Sequence, residues 1–182
     1  IENLSKFFDS PIIYISSVSV YENTKKLYLN ENMKLTKFNS KYAKVKKICE
    51  DKILSRNNNE DLCLRIPGIF SKERKSGIIF NLKKKVFDIN YNFKIFDLKK
   101  QWQCINNEHF QYCIIKILKS KIYYPKIMNL GYDEKISLTK AILLFNKKLP
   151  TTKKIVVKKK TVTTKLNVKN LKKILKKKNF TL

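Results

Sequence analysis

The chain has 182 residues, and its 41 Lys and Arg against 14 Asp and Glu give a formal charge of +27. That length supports one domain with a sizeable core, and no apolar run approaches the ~20 residues of a membrane-spanning helix. Four cysteines without a C-x-x-C pair, beside the single His109, argue against a zinc centre.

The charge has two readings. It points to nucleic acid or an anionic surface. Yet the only arginines are Arg56, Arg65 and Arg74, and phosphate or base-edge recognition favours the planar fork of arginine. Lys, Asn, Ile, Phe and Tyr share A/T-rich codons, so biased coding yields the same balance without selection for binding. Cys49, Cys63, Cys104 and Cys113 sit in apolar settings. They read as reduced core residues of a cytoplasmic protein.

In chain order, residues 1–9 carry Leu4, Phe7 and Phe8 at helical spacing, and Pro11 ends the pattern. "IIYIS", 12–16, is a short continuous apolar run, as expected of a parallel strand covered on both faces. Residues 22–40 are polar and read as a long loop. A helix follows over 41–56, with an apolar stripe of Val45, Ile48, Cys49 and Ile53. Ala43, Lys46, Lys47 and Glu50 lie on another side. "LCLRI", 62–66, is a second buried strand, closed by Pro67 and Gly68.

Strand, helix, strand with apolar strands is the crossover unit of a parallel sheet. The carboxyl ends of both strands then open on one edge, where open α/β sheets bind ligands. Further on, helices are expected over 76–87, 107–119 and 138–148, the last capped by Ser137, and a short strand at 94–97. "IVV", 155–157, has strand character, and an amphipathic helix carries Val168, Leu171, Ile174 and Leu175. No acid follows Glu134. The lysine-rich end is either a solvated face or a docking surface for an anion.

The chemistry concentrates near the first strand. Ser16 and Ser17 close it, Tyr21 stands four residues after Ser17, and Tyr42 and Lys46 are one turn apart on the following helix. A free phenol, with pKa ~10, is a poor base at neutral pH. A lysine on the same helical face favours the phenolate. Such a tyrosine can exchange a proton with a nearby hydroxyl. A serine at the strand end holds the reacting oxygen in line.

"IIYISSVSVY", Tyr42 with Lys46, "LRIPGIF", "MNLGYDEKISL" and "TTKLNVKNLKKIL" together resemble the NAD-dependent epimerase/dehydratase family, the extended short-chain dehydrogenase/reductases. The resemblance runs, with interruptions, over nearly all 182 residues. It implies an α/β fold: a Rossmann-type parallel sheet with flanking helices, and a small C-terminal α+β portion that binds substrate. Residues 1–75 would be the second half of the NAD-binding domain and 76–182 mainly the substrate-binding portion. Ser17, Tyr42 and Lys46 would be catalytic. Tyr42, Lys46, Ile66, Pro67 and Gly68 would line NAD or NADP. Ser17 and Arg74 would meet a nucleotide-sugar substrate, and Glu50 fills an acidic position one turn after Lys46. Family members dimerise through the helix equivalent to 41–56.

Two departures bear on function. The family's Gly-rich phosphate turn belongs to an N-terminal half that these residues do not contain. Only Gly68, Gly77 and Gly131 are present, so the chain alone is expected to bind NAD poorly and to be inactive. Asn106 and Asn107 stand where the family has acids, with Gln101 or Trp102 where it often has Arg, which weakens a charged contact to the sugar nucleotide. No partner is evident for His109. Two rival readings are a pseudoenzyme scaffold of the same fold and a basic nucleic-acid-binding protein.

Overall fold

The computed structural model describes residues 10–24, 26–56, 58–71, 73–75, 80, 101–120, 125–133, 136–137, 165–177 and 179, with backbone alone at 101–102 and 136–137. The elements expected at 1–9, 76–87, 94–97, 138–148 and 155–157 lie outside the described residues, as does Gly77, apart from Phe80, which is helical.

Strand β1 (Ile13–Ser17) runs into a 3-10 turn at Val18–Tyr21. Helix α1 (Lys41–Leu54) then leads to β3 (Leu62–Ile66). β1 and β3 pair in parallel from Ile13 opposite Leu62 to Ser17 opposite Ile66. β7 (Ile127–Asn129) joins the other edge of β3, also parallel, setting Arg65 opposite Asn129. The sheet order is therefore β1-β3-β7, the parallel crossover arrangement that the apolar runs predict.

Short strands frame this sheet. β4 (Gly68–Phe70) starts directly after Pro67 and pairs in parallel with β6 (Cys104–Asn106). β5 (Gln101–Trp102) pairs antiparallel with β8 (Ile136–Ser137). α2 (Asn107–Lys119) follows β6, and α3 (Lys169–Leu175) closes the described chain. The expected loop over 22–40 contains a strand, β2 (Tyr28–Leu29), paired in parallel with β9 (Lys165–Leu166). Two residues carry too little pattern to register as a strand, and their pairing partner is remote in sequence.

One core draws on every layer. Leu62 and Leu64 of β3, Met128 of β7, Cys113 and Ile117 of α2, and Leu166, Leu171 and Leu175 from the C-terminal segment form one buried cluster with Val20 and Tyr21. Gly131 matters here for space: a Cβ would sit 3.3 Å from both Leu166 Cδ1 and Pro67 Cγ. Its backbone is outside the left-handed region, so close approach is what calls for glycine.

The orientation of α1 differs from the expected stripe. Ala43, Glu50 and Ile53 are buried, whereas Val45 and Ile48 are exposed. The helix turns a carboxylate inward because β3 presents Arg65 to receive it. Its N-terminus is fixed twice. Ser40 Oγ accepts from Ala43 N at 3.1 Å, an N-cap bond. Glu22, the residue after the 3-10 turn, accepts from Asn39 N at 2.5 Å, Ser40 N at 2.6 Å and Ser40 Oγ at 2.9 Å.

Candidate active site

The site lies at the carboxyl end of β1, where α1 crosses the sheet. Lys46 is half-buried. Its ammonium donates to the Ile15 carbonyl at 2.8 Å, 5.1 Å from the centroid of the Tyr14 ring and 5.8 Å from that of the Tyr42 ring. An ammonium at those distances is attracted to both ring faces. The Tyr42 side chain is open to solvent, with 56% of the residue exposed. The structure therefore brings Tyr42 and Lys46 together, against the strand that ends in Ser17.

Ser17 occupies the last position of β1, two residues beyond the carbonyl that holds Lys46. Its hydroxyl accepts from Ser19 N at 3.2 Å and donates to Ser19 Oγ at 3.1 Å, capping the 3-10 turn. Ile66 is the register partner of Ser17 on the adjoining strand. Pro67 is buried and Gly68 exposed at the turn into β4. These three residues line the same rim. Arg74 Nη1 donates to the Ile69 carbonyl of β4 at 2.8 Å.

Beneath the rim runs a buried polar chain that links Ser16, Tyr21 and Glu50, each marked in the sequence, through Arg65 to Glu31 and Asn129, which were not. The Glu50 Oε1 accepts from Ser16 Oγ at 2.6 Å and Arg65 Nε at 2.9 Å, and its Oε2 accepts from Arg65 Nη2 at 2.7 Å. Arg65 Nη1 donates to Tyr21 Oη at 2.8 Å and to the Glu31 carbonyl at 3.2 Å. Tyr21 Oη donates onward to Asn129 Oδ1 at 2.9 Å. The Asn129 amide reaches the Leu29 and Asn167 carbonyls, and its backbone N–H meets Glu31. The detectable signal was Arg65 itself. A charge inside an otherwise apolar strand requires a partner, because an unpaired buried ion is prohibitively costly.

The electrostatics follow. Burial opposes charge on Arg65, but its bonds and charge interactions with Glu50 and Tyr21 outweigh that and raise its pKa above the usual arginine range. Burial pushes the Tyr21 phenol up, partly offset by the Arg65 charge and by bonds from Arg65 and Asn129. Tyr14 is also raised, first by burial and then by its bond to Cys49 and by neighbouring charge. Both phenols stay neutral donors at physiological pH.

Other expectations resolve simply. His109 does have a partner: its Nδ1 lies 2.7 Å from Tyr132 Oη, which also accepts from Asn106 N at 3.0 Å. Asn106 caps α2, accepting from Glu108 N at 2.8 Å. All four cysteines are free, three of them buried. No helix among the described residues is long and apolar enough to cross a membrane.

Lys46 uses one of three N–H donors on Ile15, and the exposed Tyr42 and Gly68 leave the rim open. The sequence provides no Gly-rich cradle for a pyrophosphate.

Comparison with protein-family models finds no match, and comparison with curated proteins finds none. Solved structures match throughout. A UDP-glucuronic acid 4-epimerase from Bacillus cereus in complex with NAD superposes with a TM-score of 0.76 at 18% identity, over 100% of this chain and 60% of that one. An NAD-dependent NDP-hexosamine 5,6-dehydratase of tunicamycin biosynthesis gives 0.71 at 14%, over 94% and 59%. A hypothetical dTDP-4-dehydrorhamnose reductase from Sulfolobus tokodaii gives 0.70 at 23%, over 100% and 64%. The chain thus spans about three-fifths of the length of these structures. Its fold is the Rossmann-type α/β fold of NAD-dependent sugar-nucleotide epimerases and dehydratases, the extended short-chain dehydrogenase/reductases.

Proposed function

We propose that this chain carries the proton-transfer and substrate-facing part of an NAD(P)-dependent oxidoreductase acting on a nucleotide sugar. The observation that carries this reading is the Lys46 ammonium 5.8 Å from the ring of an exposed Tyr42, at the end of the strand that finishes in Ser17. The fold supports it, although neighbours that share the fold include an epimerase, a dehydratase and a reductase and so leave the reaction type open.

Tyr42 is the acid/base in this scheme. Lys46 stands beside its ring and offers N–H donors to the cofactor ribose, and Ser17 orients the reacting oxygen. Bound nicotinamide supplies the hydride acceptor. Val18 and Ser19, beside Ser17, are not acids, which favours epimerase or reductase chemistry over dehydration. A second copy docking on the exposed α1 face of Val45 and Ile48 belongs to the same proposal.

The test is titration of the 182-residue chain, isotopically labelled, with UDP-glucose, UDP-glucuronic acid and NAD. The expected result is nucleotide-sugar binding with shift changes at Ser17 and Tyr42, and NAD binding weaker than micromolar. No response to any nucleotide sugar, or shifts confined to lysines of α3, would refute the proposal. The second pattern, with salt-sensitive binding of RNA, would favour the nucleic-acid reading.

A further inference from the structure

We infer that Glu50, clamped by Arg65 and Ser16, is a positioning residue that sets where Lys46 holds its ammonium; as a statement about catalysis this rests on the proposed role of Lys46.

The observations are geometric. Glu50 lies one helical turn after Lys46 on α1, so both project from the same side. Neither Glu50 nor Arg65 reaches solvent, at 0% and 1% side-chain exposure. Their pairing is a two-bond fork, which fixes rotation as well as distance. Ser16 donates to the same carboxylate at 2.6 Å, and Ser16 is flanked in β1 by Ile15, whose carbonyl receives Lys46, and by Ser17.

The clamp therefore ties together the two elements that bear the candidate triad. α1 carries Tyr42 and Lys46, β1 carries Ser17, and β3 supplies the arginine. Without it, α1 is held to β1 by packing of its buried face, the Tyr14–Cys49 bond and the Lys46 bond itself. Apolar contacts are non-directional, so the helix would roll or slide by fractions of an ångström. Lys46 would then shift relative to the Ile15 carbonyl and the Tyr14 ring, which belong to β1, while Tyr42 moves with it.

Competitive acylation of the full chain, read lysine by lysine by mass spectrometry, tests this. Lys46 is expected to react about tenfold more slowly than exposed Lys44, because its amine must first leave the carbonyl and the rings. Ser16→Ala leaves both Arg65 bonds in place and keeps the fold. It should raise Lys46 labelling severalfold while Lys41 and Lys44 stay constant. Glu50→Ala should abolish the difference, and Glu50→Gln, which retains acceptor capacity, should restore part of it. A helix that merely loosened would change the whole row of lysines. In the unaltered chain, the Lys46 ε-methylene protons should carry an upfield ring-current shift from Tyr14 and Tyr42. A random-coil shift there, or folded Ser16→Ala and Glu50→Gln variants with Lys46 as slow as in the parent, overturns the inference. Labelling requires neither cofactor nor substrate. A negative result therefore leaves the proposed chemistry standing, and failure to bind nucleotide sugars leaves the clamp standing.

Discussion

Arg65 and Glu50 meet as a two-pronged ion pair, Nε to Oε1 at 2.9 Å and Nη2 to Oε2 at 2.7 Å, wholly shielded from water. Such pairs are weak evidence for net stability, since desolvation offsets much of the attraction, but severing one is costly. Arg65→Met and Glu50→Leu should each destabilise the chain by about 3–5 kcal/mol, and the double variant should lose less than the sum. Urea unfolding of the four proteins closes the cycle. Additive losses would show that the two side chains act independently.

Glu22 gives the N-terminus of α1 a pH dependence. Its carboxyl is held below the usual carboxylate range, chiefly by the Ser40 backbone N–H; desolvation opposes this, and the Ser40 hydroxyl and the Asn39 N–H add to the lowering. The folded pKa is thus below the unfolded value. The contribution is complete above the unfolded pKa, near 4.5, and is lost as pH falls through the folded one. Amide exchange at Ala43 and Lys44 should accelerate as pH falls through that acid window. Glu22→Gln should flatten the dependence. Glu22 is fully exposed, so the global melting temperature should move little.

Thiol reactivity should divide the cysteines. Burial pushes both Cys63 and Cys113 up to about 12, with the Glu50 charge adding at Cys63 and Lys177 opposing at Cys113. Cys104 is also buried, whereas Cys49 is partly open. A disulfide reagent at pH 8 should therefore modify one thiol rapidly, at Cys49, and the other three at the rate of unfolding. Rapid modification of Cys113 would contradict the packing of α2.

Gly131→Ala should destabilise by about 1–3 kcal/mol through overpacking against Leu166 and Pro67. The double variant Gly131→Ala with Leu166→Val should recover part of that, because the displaced atom is the end of a side chain. Thermal unfolding decides. An unrelieved loss would place the strain in the backbone.

If α1 docks on a second copy, Ile48→Lys should shift a dimer toward monomer in light scattering without altering the circular dichroism. Ile48 is 43% exposed and takes no part in the core.

How much of this was legible in the sequence depended on the range of the signal. β1 and β3 announce themselves as apolar runs, and the YxxxK spacing alone places Tyr42 and Lys46 on one helical face. The roll of α1 could not be read that way. By hydropathy Val45 and Ile48 belong inside, yet a buried arginine on a strand beyond the helix draws Glu50 inward instead. The β2–β9 pair was illegible for a related reason: each strand is two residues long and pairs across most of the chain. The bond from the Arg74 guanidinium to the nearby Ile69 carbonyl likewise has no pattern in the sequence to announce it.

Asn129 spans the carbonyls of Leu29 and Asn167, and Leu166 and Leu171 belong to the buried cluster that includes Leu62 and Leu64 of β3. Translation therefore presents β1, β3 and β7 with their interior unfinished: the Asn129 amide and the buried cluster gain these partners only when residues 165–175 arrive. A stop codon before residue 165 should leave that apolar surface uncovered and the product prone to aggregate.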